Sequence, residues 1–169
     1  MGIVCKMTCE ELEPWFGWTA NATVYERKAP TDPKGSAPTS IIQTKQPWAV
    51  CFEWKTWGPL AYNQAGEWIL EVMLEQMGGK EFDLVAKYPG ARVSVAYESM
   101  PFEYEHCIEF PAHIVPAGVY RLIVTLSMIS PSGVPCPIAA FGDCGILRFY
   151  ESYPEGSGSR GAAGASSCC

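Results

Sequence analysis

Apolar side chains recur at every second position along most of this chain, and that alternation restricts its fold more than any other feature. Trp48, Val50, Phe52 and Trp54 alternate with Cys51, Glu53 and Lys55. Trp68, Leu70, Val72 and Leu74 share one face, with Glu71 and Glu75 on the other. Tyr104, His106, Ile108 and Phe110 alternate with Glu103, Glu105, Cys107 and Glu109, and Tyr120, Leu122, Val124, Leu126 and Met128 form a further row. A period of two places one row in a core and the other toward solvent, as in a half-buried strand. Shorter segments rich in β-branched and aromatic residues at 20–26, 39–45, 82–88, 91–98 and 145–151 also read as strands, with 138–141 leading into the last. No window sustains a 3.6-residue period with capping signals; only the Leu-, Glu- and Met-rich stretch 66–79 is ambiguous, and its alternation favours a strand. About 8–9 short strands separated by Gly/Pro turns predict an all-β, antiparallel sandwich or barrel.

Two of these strands repeat a pattern. AGEWILEVML (65–74) and AGVYRLIVTL (117–126) both follow Ala-Gly-x-aromatic-x-Leu-x-Val-x-Leu. Each Ala-Gly closes a turn and each aromatic opens a strand, so the two copies are expected to enter the fold from equivalent corners. PAGVYRL (116–122) resembles the tyrosine-corner segment of immunoglobulin-like domains, where a small residue and Gly precede a Tyr on the penultimate strand. The resemblance implies an immunoglobulin-like β-sandwich in which the Tyr120 hydroxyl bonds back to nearby backbone. Leu122 stands where antibody domains place their second disulfide cysteine, so that bridge is not expected. Only one short motif and the strand rhythm carry this resemblance, and fold alone does not specify function.

The expected organisation is an N-terminal arm (1–18), one β-sandwich domain (19–152) and a disordered Gly/Ser/Ala tail (153–169) ending in Cys168-Cys169. Clustered cations are needed to neutralise phosphates, but here the longest basic run is Arg27-Lys28 and the net charge is −6. Nucleic-acid binding is therefore not expected. No stretch has the roughly 18 apolar residues of a transmembrane helix. The N-terminus soon meets Glu10, Glu11 and Glu13 and lacks the apolar core of a secretory signal, which predicts a cytoplasmic protein. Its eight cysteines are then expected to be reduced thiols.

Common phosphate-cradling and serine-hydrolase patterns are missing, and no Cys-x-x-Cys pair suggests zinc. No cofactor is implied. Glu103, Glu105 and Glu109 share one strand face and are the candidate metal ligands or acid/base groups, although a charged edge strand protected from aggregation has the same pattern. Trp48, Trp54, Trp68 and Tyr120 are assigned to the core. Trp57 has the opposite parity and leads to Tyr62, while Trp15 and Trp18 precede the first body strand. These four are candidate contact residues, since exposed aromatics anchor protein interfaces or stack on sugars. The leading expectation is a non-enzymatic interaction module or self-assembling scaffold that binds a protein partner or its own copies. A carbohydrate-binding module is second, and a metal-dependent enzyme using the carboxylates is third.

Overall fold

The computed structural model describes residues 2–10, 14–26, 34, 37–79, 82–98 and 102–152, so the predicted tail lies outside the described residues. The fold is a two-layer, all-β sandwich. One sheet takes the order β1-β3-β5-β8: β1 (Val4–Lys6), β3 (Gly17–Glu26), β5 (Trp48–Trp57) and β8 (Glu103–Phe110). The other takes the order β2-β10-β9-β6-β7: β2 (Thr8–Cys9), β10 (Pro135–Tyr150), β9 (Gly118–Ile129), β6 (Glu67–Gln76) and β7 (Arg92–Ala96). These neighbours pair antiparallel; β4 (Ile41–Gln43) adds a parallel pairing to the end of β10, with Ile42 opposite Phe149.

Alternation produces the layers directly. Trp68, Leu70, Val72 and Leu74 on β6 point inward, as do Tyr120, Leu122, Val124, Leu126 and Met128 on β9. The repeated pattern proves to be two neighbouring antiparallel strands. Leu70 faces Leu126 and Val72 faces Val124, so each copy supplies the other's cross-strand partners. From the opposite sheet, Trp48, Val50, Phe52 and Trp54 complete the core. Large rings occupy both ends. Trp18, Trp54 and Trp68 cluster at one end, with centroids 5.2 Å apart for Trp18–Trp68 and 5.9 Å for Trp54–Trp68. Trp48, Phe110, Phe149 and Tyr120 fill the other, where the Tyr120 hydroxyl donates to the Pro116 carbonyl at 3.1 Å.

Three expectations need correction. Residues 82–88 do not form a strand. Asp83 accepts the Ala86 amide at 2.9 Å and starts a short helix, α1 (Leu84–Lys87), which presses Leu84 into the core. The N-terminal segment contains β1 and β2 and crosses from one sheet to the other. Its residue Trp18 is 0% exposed, with its indole N–H bonded to the Glu10 carbonyl at 2.7 Å, so it is a core residue and not a surface contact. Finally, Cys51 and Cys107 stand directly opposite on β5 and β8 and form a disulfide, where reduced thiols were expected.

Candidate functional site

At the end of the sandwich above the Trp18/Trp54/Trp68 cluster, the chain presents three large aromatic side chains to solvent. Trp15 is 58% exposed, Trp57 45% and Tyr62 63%. Sequence parity places Trp57 at the end of β5 on its outer face. Gly17 is its cross-strand partner, and the indole lies over that glycine: an ideal Cβ on Gly17 would be 2.3 Å from Trp57 Nε1. Glycine at this position gives the ring its seat.

Backbone hydrogen bonds hold the neighbouring elements. Gly58, at φ 100°, turns the chain out of β5 into a 3-10 turn, Pro59–Tyr62. There the Leu60 amide donates to the Trp15 carbonyl at 3.0 Å and the Ala61 amide to the Gly58 carbonyl at 3.1 Å. Buried Ala61 accepts the Tyr97 hydroxyl at 2.7 Å, and burial raises the Tyr97 pKa. Trp15 and Tyr62 therefore project from backbone that is tied both to each other's segment and to the core. Phe102 completes the group. Its ring meets Tyr62 edge-on at 4.9 Å, and its carbonyl accepts the Thr56 amide at 3.0 Å. Phe102 has φ 68°, a left-handed conformation that is costly for a bulky residue and commonly marks functional positions.

Beside this end, the outer face of the four-stranded sheet forms a shallow groove of about 470 Å³, with Thr19, Asn21, Glu53, Lys55, Glu103 and Glu105 along it. Its carboxylates are matched by cations. Lys55 reaches Glu103 at 2.5 Å and lowers the Glu103 pKa. Lys34 bridges Glu105 at 2.8 Å and Glu53 at 2.9 Å, and both carboxylates raise its own pKa. Glu109 lies farther along β8, opposite Ala49. Among the described residues, no group of three or more His, Cys, Asp or Glu is arranged to hold a metal ion. The groove can offer hydrogen bonds and paired charges.

The structure thus brings Trp15, Trp57 and Tyr62 to one end and removes Trp18 to the core beneath them. Sequence reasoning missed Phe102, because its left-handed backbone and contact with Tyr62 leave no mark on local composition. Gly58, next to Trp57, was the available hint that the chain turns sharply there. Trp48, Trp54, Trp68 and Tyr120 are buried. No helix among the described residues is long and apolar enough to cross a membrane. No protein-family model matches the chain, and no curated protein matches it either.

Proposed function

We propose that this chain is a non-enzymatic protein-interaction module on an immunoglobulin-like sandwich, and that its contact surface is the end bearing Trp15, Trp57, Tyr62 and Phe102. The observation that carries this reading is three exposed aromatics gathered on backbone fixed by the Trp15–Leu60 and Tyr97–Ala61 hydrogen bonds. Large rings that are already ordered bury much surface on binding with little further entropy loss. The immunoglobulin-like assignment is supported by strand order: β3-β5-β8 and β10-β9-β6-β7 correspond to A-B-E and G-F-C-C′. The Tyr120–Pro116 bond lies on the F-equivalent strand, as a tyrosine corner requires. The Cys51–Cys107 disulfide favours an oxidising compartment over the cytoplasm expected from the sequence.

A photoreactive residue at position 62 of the full chain tests the reading, with position 113 at the opposite end as control. The expected result is a discrete protein adduct from 62 alone, lost on Trp15→Ala with Trp57→Ala. Because both tryptophans are exposed, their removal should change unfolding free energy by only about 1 kcal/mol. Adducts at both positions, or at neither, overturn the proposal. The polar groove beside Trp57 favours carbohydrate binding as the second reading. Retardation in polysaccharide gels that disappears with Trp57→Ala would establish that alternative.

A further inference from the structure

The N-terminal strand meets the last strand through sulfur. Cys5 on β1 and Cys144 on β10 are 5% and 9% exposed, and neither is part of the Cys51–Cys107 bridge. Both sulfurs gather at Gly142. A Cβ on that glycine would lie 2.9 Å from Cys5 Sγ and 3.1 Å from Met7 Cγ, so only glycine admits the N-terminal strand this closely. The Cys144 thiol points at the Gly142 carbonyl at 4.0 Å, and β1 packs directly on β10. The pairing of the two thiols lowers the Cys5 pKa and raises that of Cys144, which makes Cys5 the more easily ionised member.

Other pairings are poorly placed. Cys136 and Cys144 belong to one strand, and eight residues of extended chain span about 26 Å. Cys9 directs its thiol toward the Met7 carbonyl and stands opposite Ala140 on β10. Meanwhile β1 and β2 are short, with three and two registered pairs. Strands with so few ladder pairs belong to the easily opened part of a fold.

We infer that Cys5 and Cys144 are a second intramolecular disulfide site, oxidised by exchange with a low-molecular-weight disulfide such as oxidised glutathione, and that the bond fastens the N-terminal strand to β10. The Cys5 thiolate attacks one glutathione sulfur, breaking the S–S bond and forming a mixed disulfide as one glutathione thiolate leaves. The Cys144 thiolate then attacks Cys5 Sγ, forming the Cys5–Cys144 bond and expelling the second glutathione thiolate. The protons from the two protein thiols end on the two released glutathiones. The protein pair loses two electrons and the glutathione disulfide gains them. Opening of the short N-terminal strand gives the reagent access, and closure brings Cys144 back to complete the exchange.

The test equilibrates the full chain in glutathione buffers of rising oxidised-to-reduced ratio. Free thiols are then blocked with N-ethylmaleimide under denaturing conditions, and peptides are mapped by mass spectrometry. The expected result is a Cys5–Cys144 linked peptide that grows as the label is lost from both residues. Amide exchange in Val4–Lys6 should slow as the bond forms. Cys144→Ser should leave Cys5 without its linked peptide; if that variant fails to fold, mapping of the unmodified chain decides alone. Full labelling of Cys5 and Cys144 across the range overturns the inference. So does Cys5 found only as its glutathione adduct or joined to any other cysteine.

Discussion

A single absent methyl group at Gly17 determines how Trp57 is presented. The indole occupies the space where a Cβ would stand, 2.3 Å from Nε1. Because Trp57 is half exposed, a displaced ring has solvent into which to swing. Gly17→Ala should therefore cost about 1 kcal/mol or less, while shifting tryptophan emission and weakening the adduct formed from position 62. Gly66 provides the contrast. It has φ 131°, and a Cβ there would meet the Ile129 carbonyl oxygen at 1.9 Å, where backbone has no equivalent escape. Gly66→Ala should cost about 2 kcal/mol or more, measured as a lower urea midpoint. The sequence marks Gly66 as a turn residue through the repeated Ala-Gly, but nothing local in WFGW reveals that Gly17 seats a ring contributed by Trp57.

Tyr120 shows how one element end is held. Its ring is buried against Phe82 and Phe149, and its hydroxyl bridges from β9 to the turn before it. Tyr120→Phe keeps the ring but removes that donor, so unfolding free energy should fall by about 1 kcal/mol. Urea unfolding checks this: a lower midpoint with an unchanged slope reports lost stability without a changed fold. Elements with long alternating rows, β5, β6, β8 and β9, were legible in sequence because burial on one face writes a period of two. Segment 82–88 was not, since Phe82 and Leu84 satisfy a short alternation while Asp83 supplies a helix cap. Strands β1 and β2 were also hidden. Their partners lie in β3 and β10, and so short a segment carries no period of its own. The aromatic end was legible in part: the parity of Trp57 placed it outside, but Trp15 and Trp18 looked alike until β3 turned Trp18 inward.

Across the whole molecule, the Cys51–Cys107 disulfide changes how much freedom the unfolded chain retains. It joins neighbouring strands of one sheet, while the 56-residue separation encloses β6, α1 and β7. A link of that span removes many open conformations, and bridges of this kind contribute about 2–4 kcal/mol. The sandwich core does not depend on the sulfurs to join its layers. Trp48, Val50, Phe52 and Trp54 meet the rows of β6 and β9 from the opposite parity of β5. The double variant Cys51→Ala with Cys107→Ala should therefore retain the far-ultraviolet spectrum of the folded chain. Its urea midpoint should move down by an amount equivalent to about 2–4 kcal/mol. The comparison must be made under reducing conditions as well, where the unmodified chain should approach the variant's midpoint. A variant as stable as the oxidised chain would show that the bridge adds nothing to folding. Loss of the folded spectrum would show that packing between the sheets is insufficient without it.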